Sequence, residues 1–163
     1  MTSPLIAIDS ISFTAFCTPE PQGSMKAFIP KGWNRAIITS DNKDLKSYRQ
    51  EVSKAALEQR AKVGFNDVIF TKHSPVSATF NFYFSKPDSV SRKRTQHVVR
   101  PDLSKLIRAT EDALTGIIYA DDAQIVSIKA EKFYGLPERV EVTISGKVSE
   151  IPQSLFIAQE DDF

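Results

Sequence analysis

Two acidic points frame the stretch RPDLSKLIRATEDALTGIIYADDAQIV, which runs from Arg100 to Val126. Asp102 follows a proline at the start of a helical pattern, and Asp121-Asp122 precedes a strand pattern. Carboxylate oxygens are the ligands that hard cations such as Mg²⁺ and Mn²⁺ prefer. Since only a short helix and a turn lie between them, the carboxylates could converge on one ion. Taken by themselves, however, an Asp after Pro at a helix start is commonly an N-cap, and Asp-Asp before a strand is commonly a turn, so this alternative to a metal site stays open.

The pattern between the acidic points predicts one amphipathic helix from Leu103 to about Thr115. Its buried face comprises Leu103, Leu106, Ile107, Thr110 and Leu114. Arg108 falls on the opposite face, about one and a half turns beyond Asp102, where it could reach a phosphate group. Phosphodiester hydrolysis needs a divalent ion to activate water and to neutralise charge that develops on the phosphate. These residue types therefore suit phosphodiester chemistry.

A basic segment leads into this stretch. Residues 86–108 contain seven Lys and Arg against two Asp, and the part from Lys86 to Val99 lacks any periodicity. A basic loop beside carboxylates indicates a polyanionic partner. The residues expected to follow a phosphate backbone are Arg92, Lys93, Arg94, Arg100 and Lys105.

The elements that must position these residues predict an α+β fold in a single domain. A first strand is expected within Ile6–Phe16, a helix of about five turns ends near Gly64, and Pro75–Phe84 alternates as a strand. Two last strands, at Gln124–Tyr134 and Arg139–Ser145, are expected to form a C-terminal β-hairpin, which completes a mixed sheet with two main helices. The helix at Leu45 has its N-cap candidates at residues 40–42. The folded domain is expected over residues 1–146, followed by an acidic, flexible tail over residues 147–163.

An irregular hairpin is expected around Lys31-Gly32-Trp33-Asn34. Its basic and aromatic residues (Lys26, Lys31, Trp33 and Arg35) could touch a nucleic-acid backbone. The alternative is a solvent-exposed hairpin with one packed tryptophan.

Composition excludes several classes of protein. The single Cys17 excludes an internal disulfide and a cysteine-based zinc site. No apolar run approaches the roughly 20 residues that span a bilayer, and the N-terminus lacks the pattern of a secretory signal. We therefore expect no membrane association and a cytoplasmic setting, which is the host cytoplasm if a phage encodes the protein.

The tail carries Lys147 against four acidic residues and ends on Phe163. An acidic end that closes on Phe is similar to the terminal peptide of bacterial single-stranded-DNA-binding proteins, which docks onto partner proteins. A protein partner docking on Phe163 is therefore one interpretation, and a solvated tail is the other.

The central stretch resembles the signature of RusA-type Holliday-junction resolvases, a family often found in phages and prophages. That signature reads Pro-Asp-Leu-Asp-Asn-Leu, a Lys three residues later, Asp-Ala-Leu, Gly, and then Asp-Asp-x-Gln-Val. The order of flanking elements is similar over most of residues 10–146. The resemblance implies an Mg²⁺-dependent endodeoxyribonuclease, for which Mn²⁺ can substitute. It further implies a homodimer that resolves four-way DNA junctions by paired nicking, in DNA recombination and repair.

The resemblance also assigns roles to residues. It places the metal ligands at Asp102, Asp121 and Asp122. The catalytic set becomes Asp102, Asp122 and Arg108, because Arg108 occupies the position of the family's catalytic Lys and keeps its positive charge. Asp112 matches the Asp of Asp-Ala-Leu, and a structural hydrogen bond explains it at least as well as a place beside the metal ligands.

One departure from the signature concerns Ser104, which stands where the family has its second carboxylate, with Lys105 in place of the following Asn. A serine hydroxyl is a weak neutral ligand, so the site loses one negative charge. Asp121 is the better candidate to compensate, because Glu111 lies two helical turns from Ser104, roughly 10 Å along the axis. A protein that binds junctions but cleaves them weakly, or not at all, is therefore the alternative hypothesis.

Overall fold

The computed structural model describes residues 8–40 and 42–146. Two α-helices and six strands form within these ranges. They are β1 (Ser10–Ala15), β2 (Met25–Phe28), β3 (Ile37–Ser40), α1 (Leu45–Lys62), β4 (Val76–Phe84), α2 (Leu103–Leu114), β5 (Ile125–Tyr134) and β6 (Arg139–Gly146). A short 3₁₀ turn, Asp122–Gln124, leads into β5. The predicted tail, residues 147–163, lies outside the described residues.

The main sheet has the strand order β1-β6-β4-β5. β5 runs parallel to β4, whereas β6 is antiparallel to both β4 and β1. The predicted mixed sheet and α+β class are therefore confirmed. The predicted C-terminal hairpin is wrong, because β4 lies between β5 and β6 and these two strands do not pair with each other.

The turn between β5 and β6 explains why the hairpin does not form. The Gly135 N–H donates to the Phe84 carbonyl at 2.9 Å, and the Ser85 N–H donates to the Glu138 carboxylate at 3.0 Å. These bonds fasten the turn across the end of β4. The chain is therefore carried past β4 before it returns as β6.

The core lies between one face of this sheet and the two helices. Alternate residues of β4 are buried, as the sequence predicts, with Phe80 and Phe82 fully enclosed. α1 packs against β1 and α2, and α2 packs against β5. Tyr48 of α1 and Thr110 of α2 share a buried hydrogen bond of 2.8 Å between their hydroxyl oxygens. Packing of α2 on this core fixes where its two ends lie.

α1 spans 18 residues, which matches the predicted five turns. It ends just before Gly64, whose φ of +89° lies in the left-handed region that glycine adopts without strain. Its start differs from the prediction. The N-cap is Asp44 rather than a residue within 40–42, and the Asn42 side-chain oxygen accepts from the Asp44 N–H at 3.0 Å.

β5 does not bury alternate side chains as β4 does. Val126 remains 59% exposed and Ile128 remains 43% exposed. The reason is positional, because β5 is an edge strand of the main sheet and the helix layer covers it only in part. An apolar edge is thus left open in the described part of the chain.

The predicted hairpin forms as the separate two-stranded sheet β2–β3. Trp33 at its tip is 60% exposed, so the interpretation with a packed tryptophan is wrong. Across the described ranges, no helix combines the length and the apolar character needed to cross a membrane.

Candidate active site

Asp102 occupies the N-cap position of α2 with an extended backbone, but its side chain makes no capping hydrogen bond. The cap is completed by the backbone alone, since the Asp102 carbonyl accepts from the N–H groups of Lys105 and Leu106, both at 3.2 Å. The simple N-cap interpretation therefore leaves the carboxylate unexplained. An exposed carboxylate that is not used for capping can bind a cation.

Lys132 of β5 holds the segment that precedes Asp102. Its Nζ donates to the Val99 carbonyl at 2.8 Å and to the Pro101 carbonyl at 2.7 Å. Burial lowers the pKa of Lys132, and the nearby Asp102 carboxylate acts in the opposite direction. Sequence reasoning missed Lys132, because nothing in a strand pattern shows that its side chain reaches back to the start of α2.

A groove of about 510 Å³ opens beside Asp102. Arg100 and Lys105, both expected to bind DNA, line it together with His97 and Phe84. His97 is buried and stacks on Phe84, with ring centroids 4.2 Å apart. The groove therefore places two exposed cations next to the carboxylate, on a wall that the aromatic stack keeps in position.

The remaining basic residues expected to bind DNA are Arg92, Lys93 and Arg94, and all three are exposed. Their loop is tied together by Lys86, whose Nζ donates to the Arg92 carbonyl at 3.0 Å and to the Arg94 carbonyl at 2.5 Å. The loop thus has a defined conformation with its basic side chains in solvent. This arrangement is compatible with contact to a phosphate backbone.

At the other end of α2, Asp121 caps the 3₁₀ turn. One of its carboxylate oxygens accepts from the Ala123 N–H at 2.9 Å. This hydrogen bond is the main reason that the pKa of Asp121 is lowered, and a hydrogen bond with Asp122 adds to it. One carboxylate oxygen of Asp121 therefore stabilises the turn, as the turn interpretation expects.

Gln124 locks this turn in place. The residue is buried, and its Nε2 donates to the carbonyls of Thr71 at 2.8 Å and Ser74 at 2.9 Å. Its Oε1 accepts from the Asp121 N–H at 2.9 Å. The Asp-Asp-x-Gln spacing in the sequence pointed to Gln124. Only the structure shows that its side chain binds the loop at residues 71–74. Gln124 therefore sets where the Asp121-Asp122 backbone lies.

Glu111 lies near Asp122. Burial raises the pKa of Glu111, the negative charges of Asp122 and Asp112 raise it further, and Arg108 lowers it. In the sequence, Glu111 was a poor candidate to replace the carboxylate missing at Ser104. In the structure it lies near Asp122, at the other end of α2. The carboxylates of Glu111, Asp112 and Asp122 therefore repel one another, and Arg108 offsets part of this repulsion.

The two acidic points remain apart within one chain. α2 has 12 residues and is therefore about 18 Å long, with Asp102 at its start and the Asp121-Asp122 turn beyond its end. Within residues 8–40 and 42–146, no three His, Cys, Asp or Glu side chains are grouped closely enough to hold a metal ion. A single chain thus does not bring Asp102, Asp121 and Asp122 onto one ion, and their roles as metal ligands stay predictions.

Asp112 forms an ion pair with Arg49 of α1. The same guanidinium donates to the Gln22 side chain, so it links α1, α2 and the loop before β2. This contact supports the structural interpretation of Asp112.

We expect Asp112→Asn to lower the free energy of unfolding by no more than about 1 kcal/mol, because both partners of the pair are about one-third exposed. Urea denaturation measures this change. The rate of junction cleavage, the activity that the resemblance implies, should be unchanged. A large loss of cleavage with unaltered stability would instead give Asp112 a catalytic role.

Comparison with known proteins adds to this geometry. The sequence model of the family Endodeoxyribonuclease RusA matches residues 19–145, which include every site residue discussed above. The chain belongs to this family. It is also 31% identical over 147 residues to the uncharacterized protein YqaN of Bacillus subtilis strain 168, a match that covers 84% of this chain and 96% of YqaN. The resemblance seen in the sequence is thereby confirmed, and the chain is a member of a nuclease family.

Proposed function

We propose that this protein is an Mg²⁺-dependent, structure-selective endodeoxyribonuclease that resolves four-way DNA junctions by paired nicking, in DNA recombination and repair. The family match over residues 19–145 carries the proposal. The site supports it, because Asp102 and Asp122 are both exposed, and because Arg100 and Lys105 line the groove beside Asp102. Paired nicking requires two sites, so the active form is a homodimer.

Each site residue receives a role. Asp102 and Asp122, helped by Asp121, hold Mg²⁺ (or Mn²⁺) through carboxylate oxygens. When bound, the ion supplies a nucleophile at neutral pH and neutralises charge on the phosphate. Arg108 is exposed on α2 and stabilises negative charge on the phosphate in the transition state. Glu111 adds a negative charge near Asp122.

Binding comes from basic side chains. Arg100 and Lys105 in the groove, together with the run Arg92–Arg94, contact phosphates along the arms of the junction. Such contacts release counterions, so affinity should fall steeply as salt rises. These residues position the junction and do not by themselves read its sequence.

A direct experiment uses a synthetic four-way junction with each strand labelled in turn. We expect nicks in two opposed strands when Mg²⁺ or Mn²⁺ is present, and no nicks in EDTA. A linear duplex with the sequence of one arm serves as the control and should be cut much more slowly. If neither metal supports cleavage of the junction, the enzymatic proposal is wrong.

Ser104 gives a prediction of its own. Ser104→Asp restores the carboxylate of the family signature, so the Mg²⁺ concentration for half-maximal nicking should fall by about tenfold, because ligand charge tunes cation affinity. Ser104→Asn is the matched control, because the asparagine amide has the size of the aspartate carboxylate without its charge, and it should change little. An Mg²⁺ titration of the nicking rate measures both. The prediction would be contradicted if wild type reached half-maximal nicking at the same Mg²⁺ concentration as Ser104→Asp, or at a lower one.

The same variant tests the second candidate function, a junction-binding protein with little cleavage. Ser104 in place of a carboxylate is the observation that favours it. Under that hypothesis, wild type binds the junction without cutting it in either metal, whereas Ser104→Asp does cut.

A further inference from the structure

The β2–β3 hairpin lies apart from the main sheet and its helices. Neither strand packs extensively on another helix or strand of the described chain. Every residue from Lys26 to Ile38 is exposed, except the half-buried Pro30. A two-stranded sheet that is covered on neither face is marginally stable in water. The hairpin is therefore a candidate for a surface that a partner covers.

Large apolar side chains accompany this exposure. Phe28 is 51% exposed and Ile38 is 66% exposed, in addition to Trp33 at the tip. The register sets Phe28 opposite Ile37, so these two side chains share one face, whereas Ile38 lies on the other. Contiguous apolar groups in solvent mark an interaction site more often than isolated ones do.

A tight turn at the tip presents a cation beside an aromatic ring. The Trp33 N–H donates to the Pro30 carbonyl at 3.0 Å, which closes a four-residue turn. The third residue of this turn, Gly32, has a φ of +91°, a left-handed value that glycine adopts without strain. Lys31 and Trp33 flank Gly32, and both are exposed. The turn thus fixes the backbone that carries the ring and the charge.

Charge identifies the partner as a polyanion. Residues 24–40 contain Lys26, Lys31 and Arg35 and no acidic residue, which gives this segment a net charge of +3. The hairpin of a second copy would carry the same charge, so like charges would oppose pairing of the two. Aromatic rings interleaved with cations are the pattern on which nucleic-acid bases stack while the phosphates between them are neutralised.

The root of the hairpin lies at the start of α2. The Gln22 N–H, just before β2, donates to the Lys105 carbonyl at 2.9 Å. Lys105 also lines a groove of about 440 Å³, together with Ser24 and Asn42 next to the two strand ends. Residues 25–29 then span about 17 Å before the turn, at about 3.3 Å each. The hairpin is therefore continuous with the basic residues proposed to bind DNA at the start of α2.

We propose that the β2–β3 hairpin is a separate DNA-binding site, on which unpaired bases stack against Trp33 and Phe28 while Lys31 and Arg35 contact the adjoining phosphates. Its ligand is single-stranded DNA, such as the strand exposed where duplex arms separate. The site extends the proposed function, on which it rests for the choice of DNA as the partner. It requires neither a metal ion nor cleavage.

Intrinsic fluorescence tests the stacking directly, because Trp33 is the only tryptophan in the sequence. The full chain is titrated in EDTA with a single-stranded dT oligonucleotide. We expect the tryptophan emission to be quenched to a saturating level, since a stacked base lies in contact with the ring. An abasic oligonucleotide of the same length keeps the phosphates without the bases, and it should bind without this quenching.

Substitutions separate contacts to bases from contacts to phosphates. Trp33→Ala should lower affinity for a labelled dT oligonucleotide by about tenfold, and affinity for a duplex by less than about twofold, because only unpaired bases stack on the ring. Trp33→Phe should retain most of the affinity. Arg35→Ala should weaken both complexes and reduce the slope of log affinity against log salt by about 1. Phe16→Ala removes another exposed aromatic ring and is the matched control, which should change neither complex. Fluorescence anisotropy measures all four variants.

Equal quenching by the intact and the abasic oligonucleotide would overturn the proposal, because it would show contact with phosphates alone. So would an emission that responds to no oligonucleotide but changes with anionic lipid vesicles, with protein concentration, or with neutralisation of the acidic tail by Glu160→Gln, Asp161→Asn and Asp162→Asn. If a four-way junction is never cut in Mg²⁺ or Mn²⁺ while the dT oligonucleotide still quenches Trp33, the nuclease proposal fails and the stacking site stands.

Discussion

Replacing Asp122 with asparagine is expected to lower the rate of junction nicking by at least about 10²–10³-fold, as loss of one preorganised electrostatic group does in other enzymes. The side chain keeps its size and loses its negative charge. Asp122 is exposed and lies near Glu111, so the substitution removes repulsion between these two carboxylates. Stability should therefore be unchanged or slightly higher, while affinity for the metal falls.

Two measurements separate this effect from damage to the fold or to DNA binding. Affinity for a labelled four-way junction in EDTA, measured by fluorescence anisotropy, should stay within about threefold of wild type, since phosphate contacts dominate binding. Asp44→Asn is the matched control, because Asp44 is an aspartate that is exposed and whose side chain caps nothing. A nicking rate for Asp122→Asn equal to that of the control would remove Asp122 from the site.

Replacing Gln124 with alanine should produce the second large effect, and it should act on both stability and activity. The substitution leaves the carbonyls of Thr71 and Ser74 and the N–H of Asp121 without their present partner. Unpaired buried polar groups cost about 1–3 kcal/mol each, and some will gain water, so we expect a loss of roughly 2–4 kcal/mol in the free energy of unfolding. Urea denaturation measures it.

The activity of Gln124→Ala should fall by about 10–100-fold under conditions where the variant is fully folded, as is typical when a residue that orients a metal ligand is removed. Raising the Mg²⁺ concentration should recover part of this loss, which a purely structural role would not allow. Gln50→Ala makes the same chemical change at an exposed position of α1 and should cost less than about 0.5 kcal/mol. If both variants are equally stable and equally active, Gln124 does not position the turn.

Local patterns were sufficient for most of the fold. β4 alternates along its whole length because its two faces have different surroundings, and α2 shows its buried stripe because it packs on one side only. The family signature likewise assigned Asp102, Asp122 and Arg108 by their order along the chain, and these roles stay predictions. Information of this kind is local, because side-chain period and motif spacing do not depend on the rest of the molecule.

Other features depended on contacts between distant segments. The sequence could not show that β4 separates β5 from β6, because strand order is set by which edges the core leaves available. It could not show that Lys132 holds the segment before Asp102 or that Gln124 grips the loop at residues 71–74. Each of these bonds joins residues that only folding brings together.

The stretch from Arg100 to Val126 illustrates both kinds of information. Its sequence by itself determined the helix, the acidic residues at both ends and the family to which the chain belongs. Only the tertiary structure decided that α2, about 18 Å long, separates Asp102 at its start from the turn at Asp121-Asp122 beyond its end. Spacing along a chain gives the number of residues between two carboxylates, whereas their separation in space depends on the helix and the strand between them.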